Sequence, residues 1–349
     1  RSWHPQSVPD ATAQGNHAIM SPNTNFYFDY QQDKNSLPGV YNFNPMLESL
    51  NDAQKALILG IQANLWCEYI PSFERAQYMI MPRMMALSEQ AWSDPSVKSW
   101  DGFTERLVKQ FPRLNIMGVN YRMPYLEGFN NTNAFIGEGN VTITCLDPSV
   151  EIHYTTDGSI PTLESPRYTE PIKVTETTDF TFRTFRPNGK KGDIVKTRYI
   201  KSEYAPAAEA TPSKKGLQAV WHEFKGNKCA DIEKAPVNGT YEISEVTIPA
   251  EAKGNIGLVI SGYFNAPEDA IYTFNLISDD GSTLTIDGEQ VVDNDGPHSV
   301  REVTGQKALA KGLHPIQVKY FDNNGGMLQL KVMTADGKEI PVNTNMFAY

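Results

Sequence analysis

The sequence predicts a multidomain protein in which an α/β part, residues 1–125, precedes two all-β parts, residues 133–204 and 216–349. Three observations carry this prediction. A near-continuous apolar run followed by apolar residues at helical spacing is typical of a β-α unit. Short strands rich in Thr and aromatic residues then follow, and a third region alternates strands with Asp-Gly turns. The length of 349 residues is consistent with two or three domains.

In the first part, residues 17–20 and 26–30 predict short strands, residues 34–45 a loop, and residues 57–66 a parallel strand that is covered on both faces. Strand followed by helix is the order of a (β/α)8 barrel, which needs about 250 residues. The α/β part therefore has room for only the last two or three βα units.

Helices are predicted after the apolar strand. Ser72 is a candidate N-cap for an apolar stripe that Pro82 should interrupt, and Asp101 is a candidate cap for a second helix. The stripe comprises Phe73, Ala76, Ile80, Met84, Leu87 and Ala91.

Linkers are predicted on both sides of the first β part. Residues 126–132 and the Pro-containing segment 205–216 are predicted linkers. Short strands and Asp-Gly or Asn-Gly turns predict a small antiparallel sandwich before the second linker and a β-barrel or sandwich after it.

Composition and charge exclude several function classes. The formal net charge of −10 argues against nucleic acid or an anionic membrane as a partner. Three widely spaced cysteines, Cys67, Cys145 and Cys229, predict neither a disulfide framework nor a metal site. No apolar run reaches the roughly 20 residues needed to span a bilayer. The chain opens with Arg1 and no signal peptide, so we expect a longer polypeptide whose targeting signal lies elsewhere.

Aromatic and acidic side chains occur together at two places in the first part. Tyr27 and Asp29, and likewise Trp66 and Glu68, are two residues apart, so each pair points the same way from an extended strand. A Trp ring packs on the apolar face of a pyranose, and carboxylates accept hydrogen bonds from sugar hydroxyls. The pattern predicts a sugar pocket. The open alternative is structural, with core aromatic residues and a helix-capping carboxylate.

Three segments resemble known families. Residues 58–68 (ILGIQANLWCE) with 81–93 (MPRMMALSEQAWS) resemble the end of the barrel of family 20 glycoside hydrolases, the β-N-acetylhexosaminidases. Residues 154–162 (YTTDGSIPT) are similar to the small β domain of chitobiase-like enzymes. Residues 272–288 and 312–316 resemble a PA14 domain.

The resemblance implies a retaining exo-glycosidase that removes terminal β-linked GlcNAc or GalNAc and needs no cofactor, the substrate's own acetamido group being the nucleophile. It implies that Tyr27 stabilises the oxazolinium-like intermediate, that Asp29 and Glu68 hold sugar hydroxyls, and that Trp66 walls the acetamido pocket. The family's Asp-Glu pair, which includes the general acid, is absent from this sequence. We therefore expect this chain alone to be inactive and a missing N-terminal barrel segment to be its partner.

The resemblance leaves two alternatives open. The β domains could be non-catalytic carbohydrate-binding or structural modules attached to a barrel remnant. Adjacent aspartates in some PA14 domains bind calcium, so Asp279 and Asp280 are candidate calcium ligands, although Asp-Asp-Gly is also an ordinary turn. A periplasmic, cell-surface or secreted location in a bacterium is expected, with N-acetylhexosamine-terminated glycans as the substrates.

Overall fold

The computed structural model describes residue 4 and residues 7–30, 36–298, 300–322, 326–334, 337–341 and 346–349. The chain divides into two compact units. The first contains residues up to Glu127 together with 144–152 and 184–193, and the second contains 128–143, 153–183 and 194–349. No helix in these described ranges is long and apolar enough to cross a membrane.

The α-helices, numbered in chain order, are α1 Val8–Ala13, α2 Asn23–Phe26, α3 Leu37–Asn42, α4 Asp52–Lys55, α5 Phe73–Ile80, α6 Arg83–Trp92, α7 Trp100–Val108 and α8 Phe111–Ile116. Short 3-10 helices are Cys67–Tyr69, Pro95–Val97 and Cys229–Lys234. The strands are β1 Ala18–Met20, β2 Ile58–Ile61, β3 Leu126–Glu127, β4 Thr132–Phe135, β5 Gly139–Val141, β6 Thr144–Cys145, β7 Glu151–Thr155, β8 Ile172–Val174, β9 Thr178–Phe185, β10 Lys191–Lys201, β11 Leu217–Glu223, β12 Val237–Ile243, β13 Ile256–Ala266, β14 Ala270–Asp279, β15 Ser282–Ile286, β16 Glu289–Asn294, β17 Arg301–Leu309, β18 Gly312–Asp322, β19 Met327–Thr334, β20 Glu339–Ile340 and β21 Phe347–Ala348.

The first unit is built around one parallel strand pair. β1 pairs with β2, and an isolated parallel bridge between Tyr27 and Asn64 follows downstream. Of the predicted strand over 26–30, the structure has only the isolated bridge at Tyr27, because Phe26 ends helix α2 and the chain turns at residues 28–30. The predicted strand over 57–66 is likewise confined to β2. With this single parallel pair in the described part of the unit, the barrel assignment stays a prediction.

The helix signals are confirmed in part. Ser72 caps α5 by accepting a hydrogen bond from the Arg75 N–H at 3.1 Å, and the predicted stripe breaks at Pro82 into α5 and α6. Asp101 is not the cap of the next helix. Ser99, two residues earlier, accepts from the Gly102 N–H at 3.2 Å, and the Asp101 carboxylate lies in the first turn, where it also favours the helix dipole.

The predicted loop over 34–45 contains the helix α3. Ser36 caps this helix by accepting from the Gly39 N–H, and Pro38 lies in its first turn, where the missing N–H costs nothing. Residues 34 and 35 lie outside the described residues. The Pro-Gly pair thus marks the beginning of a helix here rather than a loop.

The core of the first unit lies between its helices and the ends of the strand pair. It contains the buried Phe26, Phe28, Val40, Tyr41, Ala86, Leu87, Phe103, Leu107, Phe111, Leu114 and Tyr121. Ile80 and Met84 of the predicted stripe pack against it. Phe73 is 77% exposed and Ala91 is exposed, because both stand at helix ends beyond the buried stretch.

The second unit begins with a small β part. Its main sheet has the order β4-β10-β9-β7, and β5 pairs with β8. The Phe180 and Phe182 rings of β9 stack at 5.5 Å. β10 and β4 are parallel, so the prediction of a wholly antiparallel sandwich is wrong at this edge.

Two sheets face each other in the remainder of the second unit. One has the order β12-β11-β13-β18-β15-β16, with β21 added to β13, and the other has the order β17-β14-β19-β20. Their inner faces bury one continuous core that includes Leu258, Phe274, Leu284 and Val318. This arrangement confirms the predicted all-β region.

The predicted linker over residues 205–216 is hydrogen-bonded to the two-sheet part of the second unit. The Ala205 N–H donates to the Ala308 oxygen at 3.0 Å, and the Ala208 N–H donates to the Leu313 oxygen at 2.7 Å. An isolated parallel bridge joins Ala205 to Leu309. The segment from 205 onward therefore begins as a strand-like addition to the turn between β17 and β18.

Candidate active site

Three of the four predicted pocket residues meet just beyond the carboxyl ends of β1 and β2. The Tyr27 and Trp66 ring centroids are 6.2 Å apart, with the rings inclined at 57°. The Trp66 N–H donates to Asp29 Oδ1 at 3.4 Å. Tyr27 is buried, whereas Trp66 is 40% exposed. One open aromatic face thus stands beside a carboxylate and a phenol.

Glu68, the fourth predicted pocket residue, lies two residues after Trp66. It belongs to the 3-10 helix Cys67–Tyr69, which follows Trp66 directly, and its side chain is exposed. The extended i, i+2 geometry expected for Trp66 and Glu68 is therefore wrong, because the chain turns at Cys67. Glu68 remains on the same side of the strand pair as Asp29, since both segments follow parallel strands.

Asn64 joins the two loops that carry the site. Its backbone exchanges hydrogen bonds with the segment before Asp29: the Phe28 N–H donates to the Asn64 oxygen at 2.7 Å, and the Asn64 N–H donates to the Phe26 oxygen at 2.8 Å. Its side-chain amide donates to Ser21 Oγ at 2.7 Å. Sequence reasoning missed Asn64, although a polar residue inside an apolar run was the available signal.

Arg83 holds the loop that carries Asp29 through its backbone oxygens. It has no exposed surface, and its guanidinium donates to the backbone oxygens of Phe28 at 2.7 Å and Tyr30 at 3.3 Å. It also donates to the Met79 oxygen and lies over the Phe28 ring at 4.6 Å. The residues on both sides of Asp29 are thereby fixed. The signal for this role was an arginine within an apolar helical stripe.

The Asp279–Asp280 turn lies in the second unit. Its peptide bond is cis, Asp280 Oδ1 accepts from the His298 N–H at 3.0 Å, and the Tyr320 hydroxyl donates to the Asp279 oxygen at 2.7 Å. Burial and the neighbouring Asp280 and Asp322 charges raise the pKa of Asp279. Across the described ranges no group of three or more His, Cys, Asp or Glu residues could hold a metal ion. The calcium assignment gains no support from the structure.

Three family models match successive parts of the chain. Residues 1–95 match the glycosyl hydrolase family 20 catalytic domain, residues 131–197 the chitobiase/beta-hexosaminidase C-terminal domain, and residues 213–345 the PA14 domain. Residues 1–95 are therefore similar to part of a family 20 catalytic domain. The resemblances drawn from the sequence motifs are confirmed for all three segments.

Curated relatives bear similar names. A beta-hexosaminidase of Porphyromonas gingivalis is 30% identical over 383 aligned residues, which include 99% of this chain and 48% of that protein. A beta-hexosaminidase of Vibrio furnissii is 35% identical over 101 residues, 25% of this chain and 16% of that protein. The chain therefore spans about half, or less, of the length of these relatives.

Solved structures match parts of the chain. An inactive mutant of a family 20 exo-β-N-acetylglucosaminidase from Vibrio harveyi is 31% identical, with a TM-score of 0.32, over 34% of this chain and 21% of that one. The PA14 domain of the MpAFP antifreeze protein is 17% identical, with a TM-score of 0.35, over 40% of this chain and 95% of that one. At these TM-scores the structural likenesses support no functional argument.

Proposed function

We propose that this chain is part of a retaining exo-glycosidase that removes terminal β-linked N-acetylhexosamine by substrate-assisted catalysis. The observation that carries the proposal is the meeting of Tyr27, Asp29 and Trp66 beyond the ends of β1 and β2. The family 20 match over residues 1–95 and the names of the relatives support the same activity.

In the proposed reaction, the acetamido oxygen of the substrate attacks the anomeric carbon while the glycosidic C–O bond breaks. The leaving oxygen takes a proton from a general acid, and an oxazolinium intermediate forms. The Tyr27 hydroxyl donates a hydrogen bond to the acetamido oxygen and so holds it in line for attack. Water then opens the intermediate at the anomeric carbon, which retains the configuration.

The other site residues bind the sugar. Trp66 offers its exposed ring to the apolar face beside the acetamido group. Asp29 and Glu68 accept hydrogen bonds from ring hydroxyls, because ionised carboxylates are strong acceptors. The acetamido and hydroxyl groups of the substrate are uncharged, and these side chains bind them without a metal ion. The proposal therefore includes no cofactor.

We further propose that the general acid comes from a preceding segment of the same polypeptide. The sequence has no Asp-Glu pair, and the P. gingivalis relative is about twice as long as the part this chain covers. In the described structure β2 pairs with β1 alone in its sheet, and Leu59 of β2 is 64% exposed. A further barrel strand would pair with that edge, and an element packed on the face of the sheet would cover the Leu59 side chain.

The proposal is tested first by comparing the chain with the longer protein. Both are assayed with 4-nitrophenyl β-N-acetylglucosaminide and with the matching β-glucoside, which lacks the acetamido nucleophile. We expect turnover only by the longer protein and only with the acetamido substrate. Equal turnover of the two substrates would refute substrate assistance, and turnover by the 349-residue chain alone would refute the missing acid.

A point variant tests the role given to Tyr27. In the longer protein, Tyr27→Phe should lower kcat by about 10²-fold or more, the usual effect of removing one donor to a developing charge. Tyr204→Phe, which removes a hydroxyl from the second unit, is the matched control and should leave kcat unchanged. A Tyr27→Phe enzyme with normal kcat would remove this residue from the mechanism.

The location outside the cytoplasm stays a prediction. Fractionation of the bacterium, with detection of the protein by antibody, would test it. Detection in the cytoplasmic fraction alone would contradict it.

A further inference from the structure

A row of uncharged polar side chains crosses the outer face of the larger sheet in the second unit. Gln218 of β11 pairs opposite Ser261 of β13, Ser261 opposite Gln317 of β18, and Gln317 opposite Thr285 of β15. Their sequence neighbours Leu217, Ile260, Ile316 and Leu284 point into the core. Because side chains alternate along a strand, the four polar residues share the outer face, in a row about 14 Å long.

This row forms the floor of a concavity. Tyr263 and Tyr349 line it together with the row, and its volume is about 480 Å³. Tyr263 stands opposite Pro315 on one side and Ala348 of β21 on the other. A Cβ on Gly262 would be 2.7 Å from the Ala348 oxygen, so glycine lets the segment 346–349 lie close and form a wall. We call this concavity the Gln317 trough.

Part of the outer face beside this row is covered by the protein itself. Phe224, Cys229 and Ile232 pack over Val259 and Phe321 in a small separate cluster. The polar row lies beyond this cover, toward the end of β18 at which the strand begins. Its four side chains are half-buried.

The lining of the trough selects the chemistry of an occupant. None of its described lining residues is charged, although the chain as a whole carries a net charge of −10. Amide and hydroxyl groups both donate and accept hydrogen bonds, as sugar hydroxyls do. Tyrosine rings present apolar surface to the C–H face of a sugar ring. A volume of about 480 Å³ lies within the range of roughly 300–1,000 Å³ that small-ligand sites occupy.

Charged ligands and peptide strands fit less well. An anion would find no Lys or Arg among the described lining residues, and a cation would find no carboxylate. An extended peptide binds a sheet through a free edge. Here β13 is paired with both β11 and β18, and β18 with both β13 and β15, so the floor offers no edge.

We propose that the Gln317 trough binds a neutral oligosaccharide. The site is separate from the Asp279–Asp280 turn, since Ser282, which follows that turn, pairs opposite Tyr320, while the trough row pairs at Gln317, three residues away along β18. Binding there requires no metal and does not depend on the proposed hydrolase activity. The trough would hold the protein on its glycan.

The test is a binding titration of the whole chain in the presence of EDTA. Isothermal titration calorimetry with chitotetraose, N-acetyllactosamine, maltoheptaose and cellohexaose supplies the neutral probes, and a heparin oligosaccharide supplies the anionic comparison. We expect at least one neutral probe to bind and the heparin probe not to bind. Hydrogen–deuterium exchange with the bound probe should slow exchange in residues 261–263 and 315–318.

Three variants locate the binding. Gln317→Ala and Thr285→Ala should each weaken it, and Gln317→Ala by roughly tenfold, as expected for one anchoring side chain. Gln329→Ala, an exposed glutamine on the other sheet, is the matched control and should bind as the unchanged protein does. Failure of all neutral probes to bind in EDTA would overturn the proposal, and so would protection confined to residues outside the trough. The exchange measurement decides the question even if a trough variant does not fold.

Discussion

Replacing Arg83 by methionine should destabilise the first unit, because this buried side chain donates to backbone oxygens that methionine cannot satisfy. Its guanidinium donates to the Phe28 and Tyr30 oxygens and stacks on the Phe28 ring at 4.6 Å. Methionine fills a similar volume without donors. The change therefore isolates the lost hydrogen bonds from a simple loss of packing.

The magnitude follows from these contacts. Leaving the Phe28, Tyr30 and Met79 carbonyls without this donor costs about 1 kcal/mol each, and losing the stacking adds about 0.5–1 kcal/mol, so we expect a loss of about 3–4 kcal/mol. Urea unfolding of the longer protein, followed by intrinsic tryptophan fluorescence, measures it. The stability of Arg83→Lys should lie between that of the unchanged protein and that of Arg83→Met. The lysine ammonium keeps the charge and some hydrogen-bond donors but lacks the planar set of guanidinium N–H groups.

The Arg83→Met variant also tests whether this side chain orders the loop that carries Asp29. With the oxygens on both sides of Asp29 released, hydrogen exchange over residues 26–30 should accelerate in Arg83→Met at urea concentrations where the protein is still folded. If the free energy of unfolding of Arg83→Met from these urea curves stayed within about 0.5 kcal/mol of that of the unchanged protein, the reasoning would be refuted. Unchanged exchange in a destabilised variant would confine Arg83 to stability alone.

Two further predictions concern the second unit. Burial, with Tyr168 adding to it, raises the pKa of Tyr199 to about 12, above the ordinary 10.0, so the folded state holds this proton more tightly than the unfolded state. Stability should therefore be intact below about pH 10 and fall between about pH 10 and 12, by at most about 1.4 kcal/mol per pH unit for this group. Urea midpoints at pH 9, 10 and 11 measure the fall, and Tyr199→Phe should make it shallower; an equal slope would contradict the assignment. A Cβ on Gly305 of β17 would be 2.0 Å from the Val291 oxygen, so Gly305→Ala should cost about 1–3 kcal/mol, while the neighbouring Thr304→Ala serves as control. Equal melting temperatures for the two variants would show that the strands can separate without cost.

Local signals in the sequence determined much of the first unit. Ser72 and Pro82 marked the beginning and the break of the α5–α6 pair because capping and the missing proline N–H act within a few residues. The family motifs identified all three segments. The same local reasoning failed at Pro38, where a Pro-Gly pair opens α3, because proline is equally suited to a turn and to a first helical turn.

Tertiary structure alone decided how distant residues come together. The reach of Arg83 to the Phe28 and Tyr30 oxygens depends on how α6 packs against the loop that carries Asp29. The 3-10 helix at Cys67–Tyr69 likewise turns Glu68 away from the extended strand that the sequence predicts. The Gln317 trough depends on strand register, since a shift of one residue in any pairing would turn its polar side chain toward the core. The sequence by itself determined which residues are polar, apolar or helix-breaking; register and packing decided which of them share a surface, because those are set by contacts between segments far apart in the chain.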